Sequence, residues 1–168
     1  MRTLARAAAA ALTTALLTLA PTATAATAPT PAPTPAPAPA PNPQLVQAAD
    51  RIMALPVERF MTVERTPPFN WTTDGCSVPG GMAPYMRLFT PACTQHDFGY
   101  RNYGSRAGTL ALDPTPARKA AIDQRFREEM RRICDQERPG PIRHTACYGA
   151  AHTFYDAVRI GGDRAFYA

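Results

Sequence analysis

The residues best suited to chemistry are a histidine and an aspartate that are adjacent in the sequence, His96 and Asp97. Serine nucleophiles are scarce: the only two serines are Ser77 and Ser105, and neither lies in a Gly-x-Ser-x-Gly motif. The four cysteines form an even set that suits two disulfides. Covalent catalysis is therefore disfavoured, and acid–base catalysis or metal-assisted attack by water remains.

The three histidines have different surroundings. His144 lies in a Pro- and Arg-rich connection, where we expect it to be solvated. His152 lies in a predicted helix beside an aromatic run, where we expect it to pack as a structural residue. His96 lies in the middle of a predicted helix, with Cys93 one turn before it and Tyr100 one turn after it. His96 is therefore the candidate base.

A disulfide between Cys76 and Cys93 would bring a second carboxylate towards Asp97. Cys93 and Asp97 are four residues apart and so are neighbours on the helix surface. A disulfide holds its Cα atoms within ~7 Å, so Asp74 and the turn-forming Gly75 would follow Cys76 to this turn. Two carboxylates and a backbone carbonyl suit a hard cation such as calcium. The alternative is that Asp74 caps a turn and Asp97 is solvated, and spacing alone favours neither.

A third carboxylate, Asp123, falls on an apolar helix face. That face carries Ile122, Phe126, Met130 and Ile133. Because burying an unpartnered carboxylate is costly, Asp123 needs a donor. A histidine on the facing helix would be oriented by it and keep one ring nitrogen free as a base, whereas a hydroxyl of Tyr100 or Tyr103 is the alternative. Four further acids lie among arginines and are expected to be solvated: Glu128, Glu129, Asp135 and Glu137.

Helices must position these groups. Apolar periodicity and capping signals predict helices at residues 45–53, 90–103, 113–134 and 143–160, with a short segment starting near Pro56. Residues 69–88 are rich in Gly, Pro, Thr and Asn and are interpreted as a long, functional loop. The expected fold class is a small all-α, disulfide-stapled domain with two long antiparallel central helices and a calcium-binding loop.

The segments before residue 44 have a different composition. Residues 1–25 combine a basic start, a short apolar centre and a small-residue exit, as in a secretory signal peptide, and the apolar run is shorter than the ~20 residues of a spanning helix. Residues 26–43 predict a Pro-rich linker or pro-segment. Residues 44–168 are the expected folded domain. Zinc binding by the cysteines is disfavoured because no Cys-x2-Cys spacing occurs. Without Arg2 and Arg6 of the expected signal peptide, 16 basic and 13 acidic residues give a formal charge of +3, which suits anionic lipid surfaces or other polyanions.

Two segments resemble the small secreted phospholipases A2 of bacteria and fungi. The catalytic helix of that family is similar to CTQHDFGYRNY at residues 93–103, which also resembles the Cys-x-x-His-Asp-x-Cys-Tyr signature of the animal secreted enzymes. The calcium loop of the microbial family is similar to FNWTTDGC at residues 69–76. The resemblance covers residues 69–160, including residues 121–123 and the later cysteines.

The resemblance implies calcium-dependent hydrolysis of the sn-2 ester of glycerophospholipids, with release of fatty acid and lysophospholipid. It implies that His96 is the general base that activates water and that Asp123 orients it. It implies that calcium is held by the side chains of Asp74 and Asp97 and by the carbonyl of Gly75. It also implies two disulfides, Cys76–Cys93 and Cys134–Cys147.

The resemblance further implies a secreted monomer that acts at a phospholipid membrane or micelle surface and has no nucleic-acid partner. Phe89, Met82 and Met86 would contact lipid or pack in the core. The chain departs from the animal enzymes because their Cys-Gly-x-Gly-Gly loop is absent, and residues 104–118 are expanded.

Two other functions compete with this one. A His-Asp metal phosphohydrolase draws further histidines to its site, and only His144 and His152 are available. A non-catalytic secreted lipid-binding or membrane-active protein on the same fold would not need a base, an orienting acid and metal ligands together.

Overall fold

The computed structural model describes residues 42–77, 82–137 and 140–168. The expected signal peptide and residues 26–41 of the expected linker lie outside these ranges. The secondary structure of the described residues is helical, so the prediction of an all-α fold is confirmed. The helices are α1 Pro43–Met53, α2 Val57–Phe60, α3 Ala83–Leu88, α4 Thr90–Tyr103, α5 Pro116–Gln136, α6 Pro141–Gly161 and α7 Asp163–Tyr167. Within the described ranges, none of these helices is both long and apolar enough to cross a membrane.

The long helices α1, α4, α5 and α6 each have a proline in their first turn, where its missing N–H is no loss. The α4 bounds agree with the prediction of residues 90–103. The prediction for α5 began too early, since Thr115 is its N-cap and accepts a hydrogen bond from the Arg118 N–H at 3.2 Å. The prediction for α6 began too late, since Pro141 occupies its first turn.

Two short helices, α3 and α7, were not predicted from the sequence. The helix α3 lies inside residues 69–88, which were predicted as loop throughout. The helix α7 follows the Gly161-Gly162 pair that ends α6. Its Phe166 is fully buried, and the Phe166 carbonyl accepts hydrogen bonds from the N–H groups of Ser105 and Arg106 at 2.8 and 3.2 Å. Tertiary contacts therefore hold this five-residue helix, which is too short to show a periodic pattern.

The central helices α4 and α5 are antiparallel, as expected. His96 of α4 packs on Phe126 of α5, with ring centroids 4.7 Å apart. One turn later in α4, the Tyr100 ring packs near Lys119, which lies earlier in α5, at 5.7 Å from Nζ to the ring centroid. Since contacts advance along α4 and retreat along α5, the two helices run in opposite directions.

Gly99 allows these two helices to lie close together. A Cβ atom at this position would lie 2.7 Å from Ile122 Cγ2 and 3.2 Å from Met53 Cε. A larger residue would push α4 away from α5. The glycine therefore helps to keep the adjoining His96 within reach of acceptors on α5.

Two disulfides connect the helices to their neighbours. Cys76 and Cys93 join the loop before α3 to α4, with Cα atoms 5.3 Å apart. Cys134 and Cys147 join the end of α5 to α6, with Cα atoms 5.8 Å apart. This pairing is the one that the family resemblance implied, and it ties residues 69–77 to the helix that carries His96.

Glu129 corrects one expectation. It was expected to be solvated among arginines, but it is only 2% exposed. It accepts a hydrogen bond from the Val57 N–H at 3.2 Å and forms ion pairs with Arg125, at 2.6 Å, and with Arg132. This buried network anchors α2 to α5. The sequence contained the opposite charges, but it could not show that α2 covers them.

Candidate active site

A hydrogen-bonded pair, His96 and Asp123, joins α4 to α5. His96 Nε2 lies 3.0 Å from Asp123 Oδ1, and both residues are buried. The Tyr100 hydroxyl donates to the same Oδ1 at 2.8 Å. The two donors that the sequence analysis offered as alternatives therefore act together, while Tyr103 donates instead to Asp50 at 2.7 Å.

Asp123 is an ionised acceptor in a buried position. Burial opposes its charge, but the hydrogen bond and charge of His96, with hydrogen bonds from Tyr100 and Lys119, hold its pKa below the ordinary value. Burial and the neighbouring Asp123 charge raise the pKa of Tyr100 far above its ordinary value, so this hydroxyl keeps its proton. An ionised Asp123 fixes Nε2 of His96 as the protonated nitrogen and leaves Nδ1 as the nitrogen that can accept a proton.

Lys119 is a site residue that the sequence analysis missed. Its Nζ lies 3.0 Å from Asp123 Oδ2, and the residue is 3% exposed. Arg159 lies at the same oxygen, at the longer distance of 3.6 Å. The available signal was the i, i+4 spacing of a lysine and an aspartate along one helix. That spacing is common on exposed faces, so it did not indicate burial.

Residues 69–77 place a second group of acids next to this pair. Asp97 Oδ2 accepts hydrogen bonds from Thr73 Oγ1 at 2.6 Å and from the Asp74 N–H at 3.1 Å. The next residue, Gly75, has a φ of +73°, in the left-handed region that favours glycine. The loop thus turns sharply at Gly75 immediately before the disulfide at Cys76.

A pair of asparagines fixes the other end of this loop. The Asn70 N–H donates to Asn102 Oδ1 at 2.9 Å, and Asn102 Nδ2 donates to the Asn70 carbonyl at 3.0 Å. Asn102 lies on α4, is fully buried, and was not singled out by the sequence analysis. The loop is therefore attached to α4 at both ends, by these hydrogen bonds and by the Cys76–Cys93 disulfide.

The oxygen donors at the loop fit a hard cation. Burial raises the pKa of Asp97 because it removes water from the charged carboxylate. The nearby negative charge of Asp74 raises this pKa further by repulsion. A cation would relieve this repulsion, and two carboxylates with a main-chain carbonyl are oxygen ligands that calcium accepts. Within the described residues no group of three or more His, Cys, Asp or Glu side chains forms a metal site. The candidate set does not need a third such side chain, because its third ligand would be a main-chain carbonyl.

Arg101 is an unforeseen partner of Asp74. Its Nη2 lies 2.8 Å from Asp74 Oδ1, and the Asp74 side chain is 67% exposed. The Asp74 carboxylate is therefore engaged by a cationic side chain, while its backbone N–H is bonded to Asp97. The interpretation of Asp74 and Asp97 as neighbours agrees with this geometry.

Two cavities meet at this group of acids. The larger, about 660 Å³, is lined by His96, Asp97 and Asp74 together with apolar side chains. The apolar side chains include Phe126, Phe154, Val158 and Ile160. The smaller, about 200 Å³, is lined by Asp74 and Asp97 together with Arg101 and Arg106. A histidine base, two carboxylates and an apolar chamber are thus brought together.

The remaining candidates do not line this cavity. His144 bonds to Asp135 at 2.8 Å on the surface, and the His152 side chain is 62% exposed, so the expectation that His152 packs as a structural residue is wrong. Phe89 is fully buried, and Met82 and Met86 pack partly buried against the same core cluster. Of the two roles considered for these three residues, packing is the one observed.

The geometry describes a disulfide-stapled helical domain with an acid–base pair at an apolar cavity. The family model described as prokaryotic phospholipase A2 matches residues 50–162, and the chain belongs to that family. The chain is also similar to a protein of Beauveria bassiana (strain ARSEF 2860) named "Secretory phospholipase A2". The two are 37% identical over 93 residues, which is 55% of this chain and 44% of the relative. The match therefore spans less than half of the relative's length.

Proposed function

We propose that this protein hydrolyses the sn-2 ester of glycerophospholipids in a calcium-dependent reaction, releasing fatty acid and lysophospholipid. The observation that carries the proposal is the buried His96–Asp123 hydrogen bond of 3.0 Å at the wall of an apolar cavity that Asp74 and Asp97 also line. Membership of the phospholipase A2 family supports the same reaction class.

His96 acts as a general base in this proposal. Asp123 engages Nε2, so Nδ1 takes a proton from a water molecule that attacks the ester carbonyl. The imidazolium that forms is stabilised by the ionised Asp123, and its proton then passes to the leaving lysophospholipid oxygen. Asp123 keeps the ring in one orientation throughout, in the manner of a buried carboxylate that orients a catalytic histidine.

Calcium would be held by the side chains of Asp74 and Asp97 and by the carbonyl of Gly75. Bound there, calcium would supply positive charge to the ester carbonyl and to the oxyanion that develops from it. The support is the oxygen-only donor set and the raised pKa of Asp97 beside the Asp74 carboxylate. The left-handed backbone at Gly75 supports a turned loop carbonyl as the third ligand.

The apolar part of the larger cavity suits an acyl chain. Phe126 and Phe154 line its wall, and Ile160, which is 85% exposed, also lines the cavity. An exposed isoleucine beside an apolar cavity is suited to contact with a phospholipid surface. We propose that the protein acts at such a surface as a secreted monomer, with residues 1–25 as signal peptide and residues 26–43 as linker or pro-segment.

Fatty-acid release from vesicles tests this function. The substrate is a phosphatidylcholine with different acyl chains at sn-1 and sn-2, supplied with calcium or with excess chelator. We expect only the sn-2 acid by mass spectrometry, and only with calcium. Full turnover in chelator would contradict the calcium requirement, and vesicle binding without acid release would favour the non-catalytic lipid-binding alternative.

A matched pair of histidine variants tests the base. We expect His96→Ala to abolish acid release and His152→Ala to retain it, since His152 is exposed and does not line the cavity. Calcium binding measured by calorimetry should persist in His96→Ala. Equal turnover in both variants would show that His96 is not the base.

A further inference from the structure

Lys119 is the only lysine of a sequence whose other permanently cationic side chains are arginines. It is 3% exposed and lies on α5, one turn before Asp123. Its Nζ lies 3.0 Å from Asp123 Oδ2, 3.0 Å from the Val158 carbonyl oxygen and 3.4 Å from Asp163 Oδ1. An ammonium group has three N–H donors, and here the group makes two hydrogen bonds, to Asp123 and Val158, and a longer ion pair with Asp163.

The space around Nζ suits an ammonium rather than a guanidinium. Three acceptors converge on one nitrogen, whereas arginine spreads its donors over a planar fork. The backbone at Gly162 closes the space, because a Cβ there would lie 3.3 Å from Lys119 Nζ and 2.5 Å from Tyr100 Oη. This packing gives a physical reason for a lysine at this one position.

The carboxylate of Asp123 receives donors on both oxygens. Oδ1 accepts from His96 and Tyr100, and Oδ2 accepts from Lys119. The terminal torsion of an aspartate is soft, so the partners of the two oxygens set its orientation. Arg159 is a poor substitute at Oδ2, since it lies at 3.6 Å and its side chain is 42% exposed.

We propose that Lys119 is a positioning residue for the ester hydrolysis: its ammonium group fixes Oδ2 of Asp123 and thereby holds Oδ1 against Nε2 of His96. The inference rests on the proposed function. Through Val158 and Asp163, the same ammonium group ties this carboxylate to the end of α6 and to α7. The C-terminal turn of the described domain thereby contributes to the orientation of the base.

The variant Lys119→Met tests the proposal, since it keeps the length of the side chain and removes its charge. We expect kcat for vesicle hydrolysis to fall about 10- to 100-fold, by analogy with the loss of groups that orient metal-binding side chains. KM and calcium affinity should stay unchanged. A folded Lys119→Met protein with unchanged kcat would overturn the proposal.

Glu129→Gln is the matched control. Glu129 lies on the same helix, is 2% exposed, and forms buried ion pairs with Arg125 and Arg132 away from the cavity. We expect this variant to lower the melting temperature and to leave kcat unchanged. If kcat falls equally in both variants, the effect is one of general stability and the proposal is wrong.

Chemical rescue separates a missing ammonium from a damaged fold. We expect ethylammonium, but not ethanol, to restore turnover to Lys119→Ala, because ethanol can donate a hydrogen bond but only the ammonium replaces the lost positive charge. If Lys119→Met does not fold, Lys119→Ala is refolded with ethylammonium, and removing the amine must then reduce turnover before the far-ultraviolet circular dichroism changes. Simultaneous loss of both signals, or failure to fold even with the amine, would assign Lys119 a purely structural role.

The unaltered chain distinguishes the two proposals. If it releases no fatty acid with calcium, the proposed function fails. If it is active and Lys119→Met is equally active, only the positioning role fails.

Discussion

Asp123 and Asp74 are both carboxylates of the candidate site, yet one is completely buried and the other has a side chain that is 67% exposed. Asp123 lies between two long helices and contacts His96, Tyr100 and Lys119. Asp74 lies on a loop, and its carboxylate pairs with Arg101 at 2.8 Å. The acid–base half of the site is therefore built into the core, whereas the loop half lies at the surface.

This difference suggests what each half needs in order to work. Several donors fix the orientation of Asp123 before any substrate arrives, and preorganised groups of this kind need little rearrangement during the reaction. The loop carboxylates repel each other, and a bound cation would complete their arrangement. Variants of the buried half should therefore change turnover, and variants of the loop half should change calcium affinity.

The largest effect is expected from Asp123→Asn. An amide cannot supply the charge that stabilises the imidazolium of His96, so kcat should fall by roughly 10³-fold or more, as for other carboxylates that orient a catalytic histidine. Calcium affinity, measured by calorimetry, should not change. The exposed Asp135 on the same helix provides the control, and Asp135→Asn should keep full turnover. A parallel loss of calcium binding in Asp123→Asn would contradict the division into two halves.

The next effect is expected from Asp97→Asn. Loss of a charged ligand should weaken calcium binding by about 100-fold, which corresponds to about 2.7 kcal/mol. Calorimetric titration of the variant measures the change, and His96→Ala is the control that should retain affinity. Turnover of Asp97→Asn should recover at high calcium concentration. Unchanged affinity would show that Asp97 is not a ligand.

The two disulfides provide a third comparison between the halves. Removing either pair should lower the free energy of unfolding by about 2–4 kcal/mol in urea titrations. Only Cys76→Ala/Cys93→Ala should also weaken calcium binding, because that disulfide fixes the loop to α4. The Cys134–Cys147 disulfide joins α5 to α6 rather than the loop to α4, so Cys134→Ala/Cys147→Ala is the matched control. Equal calcium affinity in both double variants would show that the loop keeps its shape without the disulfide.

The acid stability of the buried half follows from the lowered pKa of Asp123. A carboxylate whose pKa is lower in the folded than in the unfolded state stabilises the fold above the unfolded value of about 3.9, and this stabilisation is lost as pH falls through the folded value. The melting temperature of the unaltered chain should therefore exceed that of Asp123→Asn at neutral pH. The difference should shrink below about pH 4. A difference that is constant from neutral pH to pH 2 would contradict the assignment.

The sequence predicted the parts of the site that depend on local pattern. Helical periodicity placed His96 and Asp123 on facing helices, and the cysteine spacing offered a way to bring Asp74 to Asp97. The sequence did not predict that Lys119 is buried, because the residues that contact its ammonium group, Val158 and Asp163, lie far from it along the chain. Residues of α7 were missed for a related reason, since this short helix depends on tertiary contacts. Burial of charge depends on which distant segments cover it, and local patterns do not contain that information.

The smallest effect is expected from removing the ion pair between Arg101 and Asp74. Whether calcium affinity then rises or falls shows what the arginine does. An exposed ion pair contributes about 0–1 kcal/mol, so Arg101→Gln should change calcium affinity by no more than about fivefold. If the arginine competes with the cation for the Asp74 carboxylate, the variant binds calcium more tightly, and this is the result we expect. If the arginine holds Asp74 in a binding position instead, affinity falls.

Two measurements separate a direct effect from a general change of charge. Arg106 lines the same smaller cavity as Arg101, and within the described residues it forms no ion pair with Asp74, so Arg106→Gln should leave calcium affinity nearly unchanged. Calorimetry at low and high salt provides the second check, because screening weakens an exposed ion pair. The difference in calcium affinity between Arg101→Gln and the unaltered chain should therefore become smaller at high salt. A gap that is independent of salt would show that Arg101 acts on the loop through packing rather than charge.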